Sequence, residues 1–167
     1  MKKIIAMILM CIALAIPMVV YAAEPKDTYI REEYQEYIYE ISEMYCVSPE
    51  LIMAMIETES SGRANVAGGN GRYIGLMQIY EKYHRDRMDR LGVTDLYDPY
   101  SNILVGVDYL MELAREYGDD VALVLMKYNG SSDAEERSET GNYTKYASGI
   151  IARAEELTII HEREREK

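Results

Sequence analysis

The feature that most constrains the fold is the segment Ser48-Pro49-Glu50 and the unbroken apolar run behind it, Leu51 to Ile56. Ser48 is placed to cap a helix, Pro49 fits the first helical position, and Glu50 suits the positive end of the helix dipole. A helix apolar on nearly all sides has no solvent face, so this one must lie at the centre with other elements packed around it. The run closes on Glu57-Thr58-Glu59-Ser60 and gives way to a loop rich in Gly and Asn. A carboxylate thus stands where a greasy helix ends.

The flanking segments read as helices that supply this packing. Between Asp27 and Val47, apolar residues fall at Ile30, Tyr34, Tyr37, Ile38, Ile41, Met44 and Tyr45, the spacing of an amphipathic helix. Tyrosine carries the aromatic load, because the chain has 16 Tyr and neither Phe nor Trp. "EKYHRDRMDRLG" predicts a short exposed helix closed by Gly92. Asp98-Pro99 starts a longer one, with Ile103, Val107, Leu110, Met111 and Ala114 in step, ending at Gly118. "DDVALVLMKYN" predicts another, stopping at Asn129-Gly130, and "YTKYASGIIARAEEL" a last one. "SSDAEERSETGN" reads as a polar loop. No stretch alternates as a strand should. The expected class is all-α, a single domain of about five to seven helices around one core.

The ends and the charge narrow the function. Residues 1–23 carry Lys2 and Lys3, an apolar run from Ile4 to Val20, and Ala22-Ala23. This is the layout of an export signal, with a retained membrane anchor through residues 4–20 as the alternative. A domain over residues 24–157 and a charged helical tail over 158–167 are expected to follow. The formal charge of −11 leaves no electrostatic footprint for nucleic acid. Cys11 lies in the apolar run, so Cys46 is expected as a lone, buried hydrophobe without a disulfide. His84 and His161 stand far apart with no partnering motif, which argues against a zinc site; no metal or cofactor is expected.

Four signals fall at helix ends: Glu59-Ser60, Gly75-Leu76-Met77-Gln78, Tyr128-Asn129-Gly130 and Tyr143. Each alone is common in helical proteins. In this order they resemble the lytic transglycosylases of the goose-lysozyme-like and soluble-transglycosylase type, over about Ile30 to Leu157. "VSPELIMAMIETESSG" is similar to that family's approach to its catalytic glutamate, "GLMQI" to its second motif and "KYNG" to its third. "DPYSNILVGVDYL" is similar to the helix between them, and "ETGNYTKYASGI" to the segment with the late tyrosine. The sequence departs at Arg72-Tyr73, where a Gly-Ala pair is usual, and at Lys127 and Gly130-Ser131 around the third motif.

The resemblance implies a lysozyme-like fold and Glu59 as the acid. A glutamate at its free pKa of about 4.3 is ionised at neutral pH, and burial at the end of an apolar helix keeps it protonated for use. Glycosidases ordinarily hold a second carboxylate roughly 5–9 Å away. Glu57 points to another helix face, while Glu81, Asp86 and Asp98 read as exposed or capping. The family's solution is one glutamate used twice: it protonates the glycosidic oxygen, then removes the proton of the C6 hydroxyl, which closes on C1 to give a 1,6-anhydromuramyl end. Ser60, beside Glu59, is placed to orient the carboxyl; by the same resemblance Gln78 bonds an N-acetyl or sugar group, and Met77 and Tyr80 wall the cleft. Tyr128 and Asn129 hold glycan, and Tyr143 brings its hydroxyl to Glu59. The expected partner is the glycan strand of peptidoglycan, met by a monomer, with a cell-wall-spanning apparatus as a setting. A hydrolytic muramidase of the same fold and a catalytically inactive glycan-binding protein remain open as alternatives.

Overall fold

The computed structural model describes residues 27–166. The export signal expected at residues 1–23 lies outside them. Seven helices occur among the described residues: α1 (Glu32–Tyr45), α2 (Pro49–Ser60), α3 (Glu81–Leu91), α4 (Pro99–Tyr117), α5 (Val121–Tyr128), α6 (Ala134–Thr140) and α7 (Lys145–Arg165). None of them is long and apolar enough to cross a membrane.

Helix α2 starts as its sequence dictates, with Ser48 Oγ accepting from the Leu51 amide at 3.2 Å. The same device starts α4, α5 and α7, where the side chains of Asp98, Asp120 and Thr144 accept from Ser101, Leu123 and Ala147. Ile52, Met53, Ala54, Met55 and Ile56 are all at 0% exposure, so α2 is the axis of the core. It packs chiefly on α7 and also on α1, while α5 bridges α4 and α7. At its C-terminal end, Glu57 takes the guanidinium of Arg153 from α7 at 2.7 and 3.2 Å and the Tyr29 amide at 3.1 Å. That contact anchors the end of α2 and turns Glu57 away from Glu59.

Several expectations are corrected. The polar loop 131–142 contains α6, whose anchor is Ala134 at 0% exposure. Ion pairs of Arg137 with Asp133 and of Lys127 with Glu135, both 2.7 Å, hold it; its polar composition hides it because a single apolar contact suffices for seven residues. Cys46 is exposed, not buried: it caps α1 in the left-handed conformation, φ 56°. Met44, on the expected apolar stripe, is 73% exposed. The helix over 81–92 is exposed only in part, for Arg87 and Met88 are buried. Helix α7 runs without a break through 158–165, and Ile160 and His161 are buried. His161 Nδ1 lies 3.0 Å from Glu50 Oε1, which fastens this last stretch to the start of α2.

A small antiparallel sheet, β1 (Ala67–Gly68), β2 (Tyr73–Ile74) and β3 (Ile79–Tyr80), occupies the loop after α2. Ala67 pairs with Ile74, and Tyr73 with Tyr80. Strands of two residues are too short to show alternation.

Candidate active site

Glu59 is the penultimate residue of α2, and Ser61 ends the helix in the left-handed region at φ 55°. Its Oε1 accepts a hydrogen bond of 2.5 Å from the hydroxyl of Tyr146, on the first turn of α7. Burial pushes the Glu59 carboxyl above the ordinary range, and the Tyr146 hydrogen bond opposes this without overcoming it. Burial and the nearby Glu59 push the Tyr146 hydroxyl far above its usual range, so it remains a donor at any working pH.

The second motif forms the facing wall through one buried side chain. Asn102, on the first turn of α4 and at 0% exposure, accepts from the Met77 amide at 2.8 Å and donates to the carbonyls of Ile74 and Leu96, each at 2.9 Å. Gly75, at φ 76°, is required here: a Cβ would stand 2.3 Å from Asn102 Nδ2 and 2.9 Å from the Leu96 carbonyl oxygen. This turn sends the Met77 side chain down onto Gly106 and leaves Gln78 in the left-handed region, φ 49°. Gln78 Nε2 donates to the Gly75 carbonyl at 2.9 Å. The Tyr128 hydroxyl donates to the Met77 carbonyl at 3.1 Å, so both walls are tied to the two sides of one residue's backbone.

Between the walls, Glu59, Tyr73, Gln78, Tyr128 and Asn129 line a cavity of about 250 Å³. It continues, through the last four of these residues, into a second of about 320 Å³ that also touches Tyr80, Tyr83, His84, Arg87, Tyr109 and Glu112. Beneath this second compartment lies an ion-pair network. Arg87 meets Asp108 and, at 3.0 Å, Glu112. Arg90 reaches Asp108 at 2.6 Å and the Tyr45 hydroxyl donates to it at 3.2 Å. Burial and then the adjacent Arg87 push His84 down to about 4, so the ring is neutral at pH 7.

The structure brings together Glu59, Gln78, Tyr128 and Asn129, with Tyr80 on the wall of the second compartment. It does not place the other three as expected. Ser60 is buried and its hydroxyl donates to the Ile56 carbonyl at 3.0 Å, the default bond of a serine at a helix end, so it does not orient the carboxyl. Met77, at 0% exposure, contributes backbone, not a wall. Tyr143 stands before the α7 cap, 41% exposed; the tyrosine on Glu59 is Tyr146. The signal for it was available, because Tyr146, Ala147 and Ile150 share the inward face of α7 at helical spacing. Asn102, Asp108 and Tyr109 lie in the segment that resembles the family's middle helix, but no sequence signal marked these roles, and Arg87 and Glu112 fall outside every motif. Among the described residues, the cavity at Glu59 has no second carboxylate in its lining; the adjoining one has Glu112, held by Arg87.

The departures at the motifs have places as well. Tyr73 lines both compartments, and Lys127 turns away to Glu135 and lies 4.6 Å from the Tyr117 ring centroid.

An all-α domain whose central helix delivers a partly buried glutamate into a tyrosine-lined groove is of the lysozyme-like class. The family model described as the transglycosylase SLT domain matches residues 36–150, and the chain belongs to that family. Over 102 residues it is 34% identical to a transglycosylase of Enterobacteria phage PRD1, spanning 61% of this chain and 37% of that protein. Its fold is similar to that of the 70 kDa soluble lytic transglycosylase SLT70 of Escherichia coli, with a TM-score of 0.65, 18% identity, and coverage of 77% of this chain and 24% of that one. An inactive mutant of the lytic transglycosylase Slt of Pseudomonas aeruginosa gives a TM-score of 0.62 at 16% identity, covering 72% of this chain and 23% of that one. The chain thus spans well under half the length of these relatives.

Proposed function

We propose that the protein is a peptidoglycan lytic transglycosylase that cleaves the β-1,4 bond between N-acetylmuramic acid and N-acetylglucosamine without water, with Glu59 as acid and then base. The observation that carries this reading is a carboxyl whose pKa is raised by burial, held by the neutral hydroxyl of Tyr146 and, among the described residues, with no second carboxylate lining its cavity. Tyr146 occupies Oε1, which leaves Oε2 to bear the proton. That proton passes to the glycosidic oxygen as the C1–O bond breaks, and the leaving sugar departs as an alcohol. The substrate's N-acetyl group stabilises the positive charge at C1. The Glu59 carboxylate then takes the proton of the C6 hydroxyl as O6 bonds to C1, which restores the acid and consumes no water. Gln78, Tyr128 and Asn129 hold the sugars on either side of the acid, their positions fixed through the Met77 backbone. Export by residues 1–23 and action on the cell wall as a monomer belong to the same reading.

Digestion of purified peptidoglycan followed by mass analysis tests the proposal. Anhydromuramyl ends, lighter by one water than the products of hydrolysis, are expected; free reducing ends as the main product would overturn it in favour of a muramidase.

Tyr146→Phe gives an independent check on the acid. The hydroxyl donates to the carboxyl and lowers its pKa, so its removal raises that pKa further. Cleavage needs the protonated form and declines as pH rises through the pKa. The declining limb of the pH–rate profile should therefore move to higher pH in the variant. Peak turnover should fall about 10- to 100-fold, as expected for one hydrogen bond to a charged group. A limb that stays in place or moves to lower pH would remove Tyr146 from contact with the acid.

A further inference from the structure

The second compartment leads away from Glu59 along a row of tyrosines that neither the acid chemistry nor the core requires. Tyr73 is bedded on Gly69, where a Cβ would stand 2.5 Å from its ring. Its centroid lies 5.5 Å from that of Tyr80, and Tyr80 lies 4.9 Å from Tyr83, each pair tilted or edge-on. The row begins beside Glu59, where Tyr73 lines the catalytic cavity, and ends at Tyr83 on the first turn of α3, 73% exposed. Exposure alone says little, since Met44 is equally exposed. What separates Tyr83 is its continuity, ring by ring, with the catalytic groove. Opposite the row, His84 packs edge-on against Tyr109 at 4.6 Å, and Tyr109 stands 5.1 Å from Tyr128.

The chemistry of this compartment selects its occupant. Arg87, the cation in its lining, is committed to Asp108 and Glu112, and His84 is uncharged. The surface on offer is aromatic faces and neutral or acceptor groups, which suits uncharged pyranose rings and not the acidic peptides attached to a wall strand. Resting on the glycan reading above, we infer that Tyr73, Tyr80 and Tyr83 form a rail that grips further sugar units of the same strand beyond the cleaved bond, with Tyr83 as its outer contact. The rail makes recognition depend on strand length, and Tyr83 is its specificity-determining residue.

Binding of peptide-free β-1,4 oligomers of N-acetylglucosamine to the uncleaving Glu59→Gln protein tests this, by titration calorimetry with dimer and hexamer. Tyr83→Ala in that background should weaken the hexamer about three- to ten-fold and the dimer distinctly less, the scale of one aromatic contact. Tyr83→Trp should restore the preference for length, and Tyr83→Leu, apolar but not flat, should not. Equal losses for both oligomers, or rescue by Leu as good as by Trp, would overturn the rail and leave the glycan reading intact. Failure of the Glu59→Gln protein to bind the hexamer at all would overturn the glycan reading and the rail with it.

Discussion

Glu59→Gln should lower glycan cleavage by about 10²- to 10⁴-fold, the range that a positioned general acid contributes, while the protein keeps its fold and its hold on the strand. The Gln side chain has the same shape, and its carbonyl can still accept from Tyr146. Stability should move the other way. Burial raises the Glu59 pKa in the folded protein, so folding is favoured by protonation. That advantage is fully present below the unfolded value of about 4.3 and is lost as pH rises through the folded pKa, where the wild-type chain must bury a charge. Gln carries no such penalty. The variant should therefore equal the wild type in thermal stability below about pH 4 and exceed it at neutral pH. Clearing of a wall suspension and melting curves at two pH values check both halves. Activity within tenfold of wild type would take the acid role away from Glu59. A variant less stable at neutral pH would contradict the buried-charge account.

This pairing of lost activity with gained stability also explains which parts of the site were legible in sequence. Glu59 could be found because a carboxylate at the end of an all-apolar helix conflicts with its surroundings, and such conflicts mark function. The helix starts were legible because caps are local: Ser48, Asp98 and Asp120 each bond an amide three residues on. The Met77 side chain and Ser60 were misjudged for the opposite reason. Which way they face depends on Gly106 and on the Ile56 carbonyl, and no local pattern states that. Asn102 is the clearest case of what remains hidden. Its three hydrogen bonds join backbone from β2, from the turn at Met77 and from the loop at Leu96, segments brought together only by the finished fold. Tyr143 and Tyr146 differ in a subtler way. Both lie in the segment resembling the family's, and the capping of α7 at Thr144 leaves Tyr143 outside the helix while Tyr146 shares its inward face with Ala147 and Ile150.

Asp108 lies within the segment that resembles the family's middle helix, yet nothing there marks it as a tie between helices, and its loss should have the largest effect on stability. Its side chain is 7% exposed and accepts from Tyr45 on α1 and from Arg87 and Arg90 on α3, so one carboxylate on α4 ties three helices. Burial alone would raise its pKa, but hydrogen bonds from Arg90 and Arg87, and then their charges, hold it below the usual carboxylate range. Arg87 is 8% exposed at its side chain, and without Asp108 its remaining anion is Glu112, itself 53% exposed. Asp108→Asn keeps the volume and removes the charge. Breaking a buried pair in this way costs about 3–5 kcal/mol, which for a domain of this size lowers the melting temperature by roughly 10–20 °C. Because the folded pKa is depressed, the stability from Asp108 is present above its unfolded value of about 3.9 and disappears as pH falls through the folded value. The gap between wild type and variant should accordingly be widest at neutral pH and narrow below about pH 4. The consequence reaches the groove, since Arg87 also donates to His84 Nδ1 at 3.4 Å and fixes Glu112 on the wall of the second compartment. The variant, assayed well below its melting point, should bind long glycan less tightly while Glu59 keeps its pH–rate profile. A melting temperature within a few degrees of wild type would show that Glu112 and solvent suffice to carry the Arg87 charge.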